Sequence, residues 1–97
     1  MATFILLANF TPQGITNIRD TIERANVVKA MASRAGIMMK EIFWTLGRYD
    51  VVAVFDAPDD RAMTALTLSV AKLGNIKTQT LRAFTHDEMK DILAKVE

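Results

Sequence analysis

The 97 residues of this chain suffice for one domain with a modest core, and a single domain spanning residues 1–97 is expected. Hydrophobic residues make up 51% and charged ones 24%, which excludes a disordered chain and implies that some apolar surface is buried against another copy. A net charge of +1 with dispersed Lys and Arg excludes a basic nucleic-acid face, and the lack of cysteine excludes disulfides, thiolate metal sites and a cysteine nucleophile.

Residues 3–10 are β-rich and apolar and predict the first strand. The run is too short for a signal peptide and lacks a basic leader and a cleavage site, so a cytoplasmic location is expected. Thr11 and Pro12 supply a helix cap and a first-turn proline, and Ile15, Ile18, Ile22, Ala25, Ala32 and Ala35 then recur at helical spacing until Gly36 stops the helix. Residues 37–46 and 49–57 are β-type runs separated only by Gly47-Arg48, which predicts an antiparallel hairpin on a two-residue turn.

Pro58-Asp59-Asp60 offers a turn and an acidic helix start, and Ala62, Ala65, Leu66, Ser69, Val70 and Leu73 form a stripe closed by Gly74. Residues 75–84 return as a strand. Thr85-His86-Asp87-Glu88 then has the spacing of a capping box, and Met89, Ile92, Leu93 and Val96 finish a terminal helix. No run approaches the roughly 18 apolar residues of a membrane helix, so no membrane partner is expected.

This order predicts an α+β domain, ferredoxin-like βαββαβ with an extra C-terminal helix on a four-stranded antiparallel sheet. Phe4, Leu6, Ala8 and Phe10 mark one face of the first strand, yet Ile5 and Leu7 opposite are equally apolar, and Val52 and Val54 repeat this opposite Val51, Ala53 and Phe55. A sheet wet on one side would alternate polar with apolar. The open face is therefore expected to pack on a second subunit as a homodimer or higher oligomer.

The stretches "LLANFTPQGITNI", "WTLGRYDVVAVFDAPDD" and "LGNIKTQTLRAFT" together resemble the GYD domain family, small bacterial and archaeal proteins named for the residues that here are Gly47, Tyr49 and Asp50. The resemblance covers nearly the whole chain and implies the dimeric α+β-barrel type of ferredoxin-like domain. It brings no assigned general function.

Gly47-Arg48-Tyr49-Asp50 has two readings. In the first, Gly47 supplies a positive φ, Tyr49 packs at a strand end and Asp50 accepts turn N–H groups. In the second, Tyr49 and Asp50 stand at the rim of a pocket between sheet and helices. Phe43 and Trp44 occupy opposite faces of the second strand, and the one facing a cavity can stack on a planar ligand. Asn9 and Glu41 are polar in apolar strands, and a buried Glu41 would need Lys40, Arg48 or Arg82 as partner. The candidate ligand-binding residues are Asn9, Trp44, Tyr49, Asp50 and Arg82.

No catalytic residue can be named. His86, the one histidine, falls in a helix first turn; with no cysteine a zinc site is not expected, and Asp56, Asp59 and Asp60 suit a helix start better than a hard cation. No phosphate loop or nucleophile order implies a cofactor, so none is expected. Two functions follow: a homo-oligomeric module that binds a small molecule, or a cofactor-independent enzyme of the dimeric α+β-barrel type acting on a small organic acid.

Overall fold

The computed structural model describes residues 1–97. In chain order it forms β1 (Ala2–Phe10), α1 (Pro12–Thr16), a 3₁₀ turn (Ile18–Asp20), α2 (Thr21–Arg34), β2 (Met38–Trp44), β3 (Val51–Ala57), α3 (Asp60–Ala71), β4 (Ile76–Ala83) and α4 (His86–Leu93). The strands make one antiparallel sheet in the order β2-β3-β1-β4, the ferredoxin-like arrangement expected from the chain. No helix is long and apolar enough to cross a membrane.

Alternation puts Phe4, Leu6 and Ala8 of β1 on the helix-bearing face, paired with Phe55, Ala53 and Val51 of β3. These residues pack with Met63, Leu66 and Val70 of α3 and Ala32 of α2 to form the core. Burying the Phe, Leu, Val and Met side chains among them stabilises by roughly 1.5–3 kcal/mol each. Met63 and Phe55 are the largest side chains sealed completely, and the flexible thioether fills the space between α3 and the sheet.

The elements end where local chemistry dictates. The Thr11 hydroxyl accepts from the Gly14 N–H, the Asp59 carboxylate from the Ala62 N–H, and Gly36 and Gly74 take φ of 74° and 83° beyond α2 and α3. At α4 the capping box is complete, with the Thr85 hydroxyl accepting from the Glu88 N–H and the Glu88 carboxylate from the Thr85 N–H.

Hydrogen bonding to the Thr85 N–H holds the Glu88 carboxyl below its ordinary value of 4.5; desolvation opposes this, and the Thr85 hydroxyl and then the Arg82 guanidinium add to the lowering. A depressed folded-state value means stabilisation present above the unfolded value and lost as pH falls through the folded one. Helix α4 is thus expected to fray below about pH 4.5, the ordinary glutamate value. Helical circular dichroism across an acid titration checks this, and Glu88→Gln, which preserves the cap without a titrating proton, should flatten the acid limb.

Two expectations are corrected. The first helix is not continuous from Pro12, because it breaks at Asn17 and restarts at Thr21. Ile15, Ile18 and Ile22, expected on its core stripe, are consequently exposed, and the sheet-facing positions of α2 are Thr21, Arg24, Ala25, Val28 and Ala32. The cause is the close approach of α1 to the α3–β4 turn. A Cβ on Gly14 would lie 2.1 Å from the Asn75 carbonyl oxygen, and Thr11 and Gln13 hydrogen-bond to Leu73, Gly74 and Asn75.

The hairpin is the second correction. β2 and β3 are joined by residues 45–50 rather than by a two-residue turn. Ahead of it, between Met39 and Glu41, β2 carries a bulge that places Lys40 out of register with β3.

Candidate functional site

The two faces of the sheet differ in what covers them. On the helix side, α2 stands off the strands and leaves an open cleft of about 520 Å³, in which 14 of the 19 lining residues are hydrophobic. This volume lies within the range of small-molecule sites. The floor is Leu6, Ala53 and Phe55 of the sheet, and the mouth carries Trp44, Thr21 and Arg24. Trp44 is fixed there by donating its indole N–H to the Thr21 hydroxyl at 3.0 Å.

The opposite face has no helix over it. Ile5, Leu7, Val52 and Val54 form its half-buried centre, with register Ile5 to Val54 and Leu7 to Val52. Phe43 on β2 and Leu81 on β4 extend the patch at 53% and 39% exposure. Phe43 and Trp44 thus separate to opposite faces as the sequence predicts.

The Gly47-Arg48-Tyr49-Asp50 segment closes one end of the sheet. Gly47 has φ of 104° with open space around its α-carbon, so conformation rather than packing selects glycine. Thr45 shapes the loop by donating its hydroxyl to the Tyr49 carbonyl at 2.6 Å and its N–H to the Asp50 carbonyl at 2.8 Å. The Asp50 N–H donates to the Ala8 carbonyl, while its carboxylate accepts from the Phe10 N–H at 2.9 Å. Asp50 therefore continues the β1 ladder where β3 has not yet begun. The Tyr49 hydroxyl donates to Gln79 of β4 at 3.0 Å, and the Arg48 guanidinium lies 5.8 Å from the Tyr49 ring.

The five candidate residues do not converge on one site. Trp44 lines the cleft. Asn9 follows Ile5 and Leu7 on the open face, and Tyr49 reaches the same face through Gln79, which pairs with Leu7. Asp50 is engaged with β1. Arg82 is at the other end of β4 on the helix side, its guanidinium 5.6 Å from the Phe4 ring and 4.6 Å from Phe84, and 3.8 Å from the Glu88 carboxylate. Glu41 is exposed, so it needs none of the cations proposed for it; Lys40 pairs with Asp56 instead. His86 is exposed in the first turn of α4 beside Asp87.

Sequence reasoning missed Arg24. It lies at i+3 from Thr21 and i−4 from Val28, on the side of α2 that faces the sheet, and that spacing was the available signal.

Comparison with known proteins agrees with this architecture. The pattern of the GYD domain matches residues 4–93. Over the full length of both chains, the protein is 31% identical to a Thermus thermophilus protein named "Glutamine synthetase and cystathionine beta-lyase binding protein". Among solved structures, the crystal structure of an FFRP superposes with a TM-score of 0.62 at 20% identity, covering 87% of this chain and all of that one. TTHA0845 from Thermus thermophilus superposes with a TM-score of 0.57 at 21% identity, covering 88% and 95%. At these identities the two structures speak to the fold alone.

Proposed function

The chain belongs to the GYD domain family, and we propose that it serves as a small homo-oligomeric binding module. One sheet face takes a second copy, and the cleft on the other face holds a small molecule. The observation that carries this reading is a sheet apolar on both sides with helices over only one of them. Apolar surface left in water forfeits about 25 cal/mol per Å², and a second sheet packed face to face recovers it. The cleft is on the far side of the sheet, so association leaves it accessible.

The name of the Thermus relative adds a protein partner to the proposal. A module built as an oligomer presents each surface more than once, which suits multivalent docking. Glutamine synthetase and cystathionine beta-lyase of the same source are the enzymes to try first.

Light scattering at micromolar concentration tests the assembly. A species at twice the 10.8 kDa chain mass or more is expected, and Leu7→Lys, which puts an unpaired ammonium at the centre of the open face, should reduce it to the monomer. A wild-type monomer would overturn the reading. Immobilised protein exposed to each purified enzyme tests the second part, which retention of neither would remove.

A further inference from the structure

We propose that the cleft between α2 and the sheet is a site for a small carboxylic acid with an apolar body, its carboxylate received by Arg24. The inference rests on the small-molecule reading of the cleft given above and adds the class of ligand.

Three observations carry it. First, Arg24 occupies a sheet-facing position of α2, between Thr21 and Val28 in the row that otherwise contributes small or apolar side chains to the cleft. Arg24 is half-buried there, so its attraction for an anion is screened less than on an open helix face. Second, it takes part in none of the three ion pairs of the chain. Third, it is held in place without being neutralised. Nη1 donates to the Asn17 carbonyl at 2.6 Å and Nη2 to the Gly14 carbonyl at 3.2 Å, both at the break after α1. The remaining N–H donors have no partner in the chain, and a planar carboxylate matches their geometry.

Asp20 and Glu23 also stand at the mouth. Both are exposed and Arg24 is half-buried, so solvent weakens the carboxylates more than the guanidinium. The rest of the cleft sets the body of the ligand, since Leu6, Val28, Ile42 and Phe55 offer dispersion contacts and no polar partner, and Trp44 offers a ring face.

Trp44 is the single tryptophan of the chain and lines this cleft, so its fluorescence reports occupancy directly. The probes are 4-phenylbutanoate, its neutral amide and 4-phenylbutylamine, titrated at low salt. The carboxylate is expected to give a saturable change at least about tenfold tighter than either other probe, and to weaken as salt is added. Arg24→Gln should lower the carboxylate to the amide's affinity while leaving the amide unchanged, and an unaltered amide titration also shows that the variant has folded. Val28→Trp, which fills the cleft, should abolish the binding of all three, read by calorimetry. Equal affinity of amide, amine and acid, or an Arg24→Gln protein that retains the acid preference, would overturn the carboxylate assignment and leave the small-molecule site standing. If none of the three probes binds, both readings of the cleft are overturned.

Discussion

Gly14→Ala is expected to be the most destabilising single-methyl change in this chain. The added Cβ would meet the Asn75 carbonyl oxygen at 2.1 Å, a contact with backbone that no rotamer change relieves. Separation would require α1 to lift from the α3–β4 turn. That motion stretches the Thr11 N–H bond to the Asn75 carbonyl, the Thr11 hydroxyl bond to Gly74 and the Gln13 bonds to Leu73 and Asn75. Overpacking of this kind costs about 1–3 kcal/mol, and each hydrogen bond given up adds about 1 kcal/mol. A loss of roughly 3 kcal/mol or more is expected, lowering the melting temperature of a domain this size by about 12 °C or more. Gly47→Ala is the control, because it meets no neighbour and loses only the positive φ, for about 1 kcal/mol. Should thermal unfolding rank Gly47→Ala as the worse of the two, the packing account of α1 is wrong.

Asp50 gives the second large effect, and the substituent decides its size. Its carboxylate accepts the Phe10 N–H, and no cation pairs with it. Asp50→Asn keeps an acceptor oxygen at the same place and should cost less than about 1 kcal/mol. Asp50→Leu leaves the Phe10 N–H without a partner at a half-buried strand end and should cost about 1–3 kcal/mol. Denaturant unfolding of both variants checks the difference. Equal losses would mean that the charge, not the acceptor, is what Asp50 supplies. In that event a cation outside this chain must face it.

The parts of the fold legible in the sequence are those settled by neighbours along the chain. Thr85 and Glu88 cover each other's N–H groups within one turn, and Gly36 and Gly74 end helices through their own φ. The two corrected elements fail for the opposite reason. Ile15, Ile18 and Ile22 keep helical spacing through the break after α1, but the break is imposed by Asn75, some sixty residues away. Residues 45–46 and 49–50 read as strand ends flanking a two-residue turn because Thr45 and Tyr49 are β-formers. The closure of the loop they form instead depends on the Thr45 hydroxyl and on β1 carbonyl and N–H groups, none of which periodicity records. Trp44 was recognisable as a candidate from its chemistry. Arg24 shares the helical row of Thr21 and Val28, but spacing alone does not separate a cleft-facing arginine from a solvated charge until the facing sheet is known.

The bulge at Lys40 bears on how copies of this chain avoid one another. β2 lies at the border of the sheet and pairs only with β3, so its outer row of N–H and C=O groups would template a strand from any passing molecule. An extra residue there twists that row out of line, and the lysine it carries, tied to Asp56 at 3.6 Å, sets a charge beside it. Ribbon growth from border to border, the route by which flat sheets become fibrils, is thereby obstructed at this border. Deleting Lys40 would straighten it, and the expected consequence is slow, concentration-dependent aggregation by a protein whose isolated fold is little changed.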